Sequence, residues 1–313
     1  MAAAHQSRTA AETATQPDCW RRAAVTAARA DGLPRPGERV AVTGCGTSWF
    51  MAQAYAQLRE AAGQGLTDAF AASEFPAGRE YDRVVAITRS GTTTEVLELL
   101  AAIRTAGQGT ATTAITADPS TPVVDAADAV TVLDFADEQS VVQTRFATTA
   151  LAFLRAGLEA AGPLPEGVKS VTDAAVDAEL ALTQPLPQQA LAAMQWTFLG
   201  RGWTYGLAQE AALKMREAAQ AWTESYPAME YRHGPISITG PGRVAWLFGV
   251  LPEGLAADVE QVGGHFRADS TPVGLDPMAD LVRVQRLAVT IAEAKGLDPD
   301  RPKNLSRSVI LNG

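Results

Sequence analysis

A chain of 313 residues, 47% hydrophobic and 19% charged, is long enough for two domains and has a globular rather than a disordered composition. Its net charge of −9, with no run of Lys or Arg, excludes the basic footprint of a nucleic-acid binder; an anionic ligand must be held by local dipoles and a few placed cations. Cys19 and Cys45 are too few for a disulfide framework, His5, His233 and His265 have no metal-ligand spacing, and no apolar run reaches the roughly 18 residues of a membrane span. No metal or membrane partner is therefore expected, and the cytoplasm is the expected compartment.

The opening residues carry no apolar signal core and read as a flexible lead-in over 1–20. Arg39–Thr43 predicts a buried strand, followed by the turn Gly44-Cys45-Gly46-Thr47-Ser48 and a helix from Ser48 to about Ala62. Arg83–Thr88 predicts a second strand, followed by Arg89-Ser90-Gly91-Thr92-Thr93 and a helix from about Thr94 to Thr105. Thr110–Thr116 and Ala129–Leu133 read as further strands, and a long helix is expected from about Thr144 to Ala161. Strands separated by helices of this length imply right-handed crossovers and a parallel sheet, so the fold class is α/β. The Pro-containing stretch from Gly162 opens a linker, which divides the chain into a first domain over 21–162, a linker with a helix over 163–186 and a second domain with a C-terminal tail over 187–313.

An internal repeat supports that second domain. Gly44, Gly46, Ala52, Gln53 and Ala56 are matched 156 residues later by Gly200, Gly202, Ala208, Gln209 and Ala212, and each copy follows an apolar strand and opens a helix. The next strand of the second copy, Val244–Phe248, leads into a turn without Ser or Thr. One half is thus expected to bind and the other to supply different chemistry.

Both turns of the first half lie at the carboxyl ends of strands, where open α/β sheets bind ligands. The first lets backbone approach a ligand and puts Ser48 at a helix N-cap; the second offers five hydroxyls between Thr88 and Thr94, and one guanidinium. This suits a phosphate monoester better than a nucleotide, whose glycine fingerprints are missing from these turns. Cys45 reads as a small filler, not a nucleophile. In the second half, a helix from Thr204 carries Glu210, Lys214 and Glu217 on one stripe and Leu207, Ala211, Met215, Ala218 and Trp222 on a packed one. Such charged stripes are usually solvated salt-bridge faces; the position of this one, after the second Gly-x-Gly turn, points to the ligand end of a sheet. His233 follows, held before Gly234-Pro235 on a loop, and the ordinary titration range of a histidine suits proton transfer near neutrality.

The motifs GCGTSW, ASEF at Ala72–Phe75, ITRSGTTTEVL, the long stretch from Gly200 to Pro235 and the tail GLDPDRPKNLSRSV resemble the SIS (sugar isomerase) family, in particular the isomerase half of glutamine–fructose-6-phosphate amidotransferases. The resemblance spans most of the chain and implies two tandem SIS domains, the second possibly truncated. It implies a sugar phosphate held by Ser48, Thr88, Arg89, Ser90 and Thr93, with Gly46, Thr47, Gln143, Lys214 and Arg307 completing the binding set. It further implies Glu217 as the base moving a proton between C1 and C2, His233 as the ring-opening residue reaching across the interface of a homodimer, and no cofactor. Two departures change the expected chemistry. No glutaminase half is expected, because only about forty residues precede the first strand, and Arg307 stands where the family's imine-forming lysine would be. Arginine stays protonated and cannot form an imine, although it can clamp hydroxyls or a phosphate. What remains is enolisation, with isomerase, deaminase and 2,3-dehydratase outcomes set by the C2 substituent and a non-catalytic phosphosugar sensor as the alternative class.

Overall fold

The computed structural model describes residues 6–76, 78–269 and 274–311. His5 and the first five residues of the expected lead-in lie outside them. The chain divides into two compact units, each built on its own sheet.

The unit formed by Asp18–Glu138, Arg145–Thr172 and the tail from Ser306 contains five parallel strands. These are β1 (Val40–Gly44), β2 (Thr67–Ala71), β3 (Arg83–Ile87), β4 (Ala111–Thr116) and β5 (Ala129–Val132), in the order β2-β1-β3-β4-β5. Every residue of β1 and β3 is buried, as strands covered on both faces require. The crossover helix after β1, Thr47–Ala61, returns to β2 on one side, whereas the helix after β3, Thr94–Ala106, returns to β4 on the other. The order therefore reverses between β1 and β3, and the turns at their carboxyl ends flank the crevice such a switch point opens. The long helix Arg145–Ala161 packs against Thr47–Ala61, and Trp20 is fully buried with its indole N–H donating to Thr148 Oγ1 at 3.0 Å.

The other unit comprises the chain up to Pro17, Gln139–Thr144 and Asp173–Leu305. Its sheet contains β6 (Gln195–Gly200), β7 (Thr223–Pro227), β8 (Arg243–Phe248) and β9 (His265–Ala268), all parallel and ordered β7-β6-β8-β9. The helix Pro277–Ala294 packs on Thr204–Ala219 and is pinned to β8 by the Trp246 indole, which donates to Asp280 Oδ2 at 2.8 Å. Asp276 caps it, with Pro277 at the first helical position.

The repeat is visible in the strands. β1 pairs with β2 through Val40 opposite Thr67, and β6 pairs with β7 through Trp196 opposite Thr223, the same offset of 156 throughout. The order of the second sheet matches the first without its last strand. The matched glycines also do matched work. A Cβ on Gly44 would lie 2.6 Å from Ser48 Cβ and one on Gly200 would lie 2.3 Å from the Thr204 carbonyl oxygen, while Gly46 and Gly202 take φ of +54° and +57°.

Two boundaries differ from the sequence reading. The expected flexible lead-in is helical over Arg8–Ala14 and from Gln16, because it is tied down by carboxylates. Asp300 accepts the Arg8 and Thr9 amides at 2.9 and 2.8 Å, and the buried Glu12 accepts the Gln139 amide at 2.5 Å. The tail, expected with the second domain, joins the first sheet's unit from Ser306. Among the described residues no helix is long and apolar enough to cross a membrane.

Candidate active site

The turn after β1 has Gly46, not Ser48, as the N-cap of the Thr47–Ala61 helix. Thr47 and Ser48 are buried in its first turn, and no side chain caps the helix. The Ser48 amide donates to the Cys45 carbonyl oxygen at 3.1 Å, and the Trp49 and Phe50 amides donate to the Gly46 carbonyl oxygen at 3.0 and 3.2 Å, which holds the turn in shape. Cys45 is partly buried against the apolar cluster around Ala72 and Ala86; burial, with a smaller contribution from Glu95, pushes its thiol up to about 11. That excludes a thiolate nucleophile at neutral pH.

The turn after β3 gathers the remaining hydroxyls. Thr88 is buried, and its Oγ1 has no hydrogen-bond partner among the described residues. Ser90 Oγ accepts the Thr92 amide at 3.3 Å and the Thr92 hydroxyl at 3.1 Å. Thr93 is the N-cap of Thr94–Ala106, again without a side-chain cap. Gly91 takes φ +62° under Thr121, whose Oγ1 would lie 2.0 Å from any Cβ placed there.

Arg89 is placed differently from a free phosphate clamp. Its guanidinium pairs with Glu138 Oε2 at 3.5 Å, both side chains being almost wholly excluded from solvent, and Nη2 donates to the Arg307 carbonyl oxygen at 3.2 Å. Glu138 also accepts the Arg145 and Phe146 amides at 2.8 and 3.3 Å, so it caps the following long helix while it holds Arg89. Arg307 likewise spends its guanidinium on the chain: Nη2 meets Asp137 Oδ1 at 2.5 Å and Nη1 donates to the Glu138 carbonyl oxygen. Gln143 lies in the other unit, with its Oε1 buried and without a partner among the described residues.

In the second sheet's unit, the helix Thr204–Ala219 carries the expected charged stripe, but not as a solvated face. Lys214 is 1% exposed and Glu210 0%, with Nζ 3.4 Å from Glu210 Oε1, and Lys214 also pairs with Glu217 Oε2. Glu217 is the outermost of the three, its side chain 17% exposed. Burying an ammonium with two carboxylates is costly, and such clusters concentrate at working sites. Leu207, Ala211, Met215 and Ala218 are buried as expected, whereas Trp222 is 82% exposed. The helix ends at Ala219 with Gln220 at φ +49°, so Trp222 falls outside the helical stripe.

His233 closes a short 3-10 turn, Glu230–Arg232, and is exposed. Its imidazole makes no hydrogen bond among the described residues, but its loop is firmly held. Arg232 Nε binds Asp258 Oδ2 at 2.6 Å and Nη2 donates to the Glu253 carbonyl oxygen at 2.7 Å, while buried Tyr231 hydrogen-bonds Thr239. Gly234, at φ +128°, turns the chain into Pro235. Among the described residues no group of three or more His, Cys, Asp and Glu is placed to hold a metal ion.

Sequence reasoning missed three residues of this arrangement. Thr92 was an unassigned hydroxyl of a recognised turn; Glu138 and Ser308 have no local signal, because their partners Arg89 and Ser90 are distant in sequence.

Residues 35–157 match the SIS domain family. The chain is 27% identical to the glutamine–fructose-6-phosphate aminotransferase (isomerizing) of a Nostoc species, over 88% of this chain and 52% of that protein. It spans about half the length of the curated relatives it matches. Its fold is shared with the glucosamine-6-phosphate deaminase of Thermotoga maritima, with a TM-score of 0.82 at 21% identity over 97% of this chain and 100% of that one. It is shared also with the C-terminal domain of glucosamine-fructose-6-phosphate aminotransferase from Francisella tularensis, with a TM-score of 0.75 at 20% identity over 95% and 99%.

Proposed function

We propose, from the match of residues 35–157 to the SIS domain family, that this chain is a phosphosugar enzyme that moves a proton at C1 and C2 of an amino-sugar 6-phosphate such as glucosamine 6-phosphate or N-acetylglucosamine 6-phosphate. In this reading the second sheet's unit is a further domain of the same kind, shortened by one strand. The common strand register and paired glycines support it.

The turns after β1 and β3 hold the phosphate through Ser48, Thr88, Ser90 and Thr93 and through backbone at Gly46 and Thr47. Arg89 acts by fixing the second turn from its buried pair with Glu138. Gln143 contributes to the sugar site through its buried amide oxygen, which has no partner among the described residues. Glu217 takes the proton from C2 of the open-chain aldose, and Lys214 stabilises the developing enediolate oxygen. His233 of the partner subunit moves the proton that opens the ring, which makes the active assembly a homodimer.

With an amine at C2, reprotonation at C1 leaves a C2 imine, and water converts it to the ketose with release of ammonia. With a hydroxyl at C2 the same steps give an aldose–ketose isomerisation. The relatives named as a glutamine–fructose-6-phosphate aminotransferase and a glucosamine-6-phosphate deaminase favour the amine. Amination from glutamine forms no part of the proposed reaction.

The observation that carries the reading is the buried Glu210–Lys214–Glu217 cluster on the helix opened by the second Gly-x-Gly turn. The test is incubation with glucosamine 6-phosphate, N-acetylglucosamine 6-phosphate and fructose 6-phosphate. Ammonia release or aldose–ketose interconversion is expected. An ultraviolet-absorbing unsaturated product would instead identify a 2,3-dehydratase, and binding without turnover a sensor.

A further inference from the structure

We infer that Ser308, carried on the C-terminal tail, is a further phosphate-binding residue, and that Arg307 is the positioning residue that holds it against the turn after β3. The inference rests on the reading of that turn as the phosphate site.

Ser308 Oγ lies 3.0 Å from Ser90 Oγ and 3.0 Å from Thr92 Oγ1, and those two hydroxyls are 3.1 Å apart. The three oxygens form a closed triangle drawn from two segments 218 residues apart in sequence. Each hydroxyl has one rotatable proton and can accept as well as donate. Such a triangle satisfies itself through its own bonds and can equally turn its protons to the oxygens of a phosphate monoester, where hydrogen bonds gain from the ligand's charge. Ser308 therefore stands in the same relation to a phosphate as Ser90, although it belongs to the tail.

The tail is fastened on both sides of Ser308. After it, the Val309 carbonyl oxygen accepts the Thr94 amide at 3.3 Å, and the Leu311 amide donates to Thr94 Oγ1 at 2.9 Å. Before it, the Arg307 carbonyl oxygen accepts from Arg89 Nη2 at 3.2 Å. The Arg307 side chain adds a clasp, with one nitrogen on the Asp137 carboxylate and another on the Glu138 carbonyl oxygen. A guanidinium presents separate donors to both acceptors at once, and an ammonium on a flexible stem does not reproduce that fork. Arg307 thus acts on the sugar phosphate through Ser308 rather than by touching it. The Arg307–Asp137 pair is more than a third exposed, so its share is small and is read as position rather than as stability.

The test is calorimetric titration of the full chain with glucosamine 6-phosphate. Ser90→Ala and Ser308→Ala should each weaken binding by about tenfold, the loss of one hydrogen bond to a charged group, and Ser308→Thr should restore it. Arg307→Ala and Asp137→Ala should each weaken binding a few-fold, but Arg307→Ala should add nothing in the Ser308→Ala background. If Ser90→Ala weakens binding and Ser308→Ala does not, the role of Ser308 is overturned while the phosphate site stands. If neither substitution weakens it, the phosphate site and this inference fall together. If Arg307→Ala costs as much in the Ser308→Ala background as alone, Arg307 does not act through Ser308.

Discussion

The Lys214 ammonium pairs with the Glu217 carboxylate from a position almost wholly shielded from solvent, with Glu210 one helical turn behind it. Lys214 is thus the buried cation of a cluster in which the inner carboxylate is fully buried. Replacing it by the similarly sized Met removes the ammonium that faces that carboxylate at 3.4 Å. Lys214→Met should cost about 3–5 kcal/mol of stability, as broken buried pairs do. Adding Glu210→Gln should recover part of the loss. Urea unfolding of the single and double variants checks both.

Thr88 offers a separation of folding from binding. Its buried hydroxyl has no partner among the described residues, so Thr88→Val removes an unsatisfied polar atom and little else. Stability should be unchanged or higher, while affinity for glucosamine 6-phosphate should fall about tenfold if the hydroxyl meets the phosphate. Parallel thermal melts and titrations measure the two effects. Loss of stability with unchanged affinity would assign the hydroxyl to the core.

Much of the first sheet was legible because β1, β3 and β4 are central strands buried almost throughout and rich in β-branched residues, a pattern that identifies itself. Of the edge strands only β5 was legible; β2, β7 and β9 were not. β2 (TDAFA), β7 (TESYP) and β9 (HFRA) are mostly half-exposed, and their extended form is dictated by pairing with β1, β6 and β8 rather than by their own alternation. The helix Pro277–Ala294 carries a local start signal in the sequence, Asp276 as N-cap before Pro277. At the site, turn chemistry exposed Ser48, Thr88 and Ser90, and the spacing of Glu210, Lys214 and Glu217 exposed their common stripe. Its burial, and the engagement of Arg89 and Arg307 with Glu138 and Asp137, depend on tertiary contacts with no local trace.

Cys45 gives a pH-dependent prediction. Burial raises its thiol from 9.0 to about 11, so the folded state favours the protonated form. Between pH 9 and 11 an ordinary thiol is largely ionised and Cys45 is not. Alkylation by iodoacetamide at pH 9 should therefore be at least several-fold slower in the folded chain than in urea, with the difference closing as pH rises above 11. Mass spectrometry of the peptide containing Cys45 follows the rate. Because the thiol has no nucleophilic part, Cys45→Ala should leave turnover of a sugar phosphate within about twofold.

The assignment of Glu217 as the base is tested most directly by proton exchange at C2 of glucosamine 6-phosphate in D2O, followed by NMR. The native chain should replace the C2 proton with deuterium. Glu217→Gln should slow that exchange by about a thousandfold while binding the sugar phosphate with near-native affinity. Exchange at the native rate in a folded Glu217→Gln variant would contradict the account.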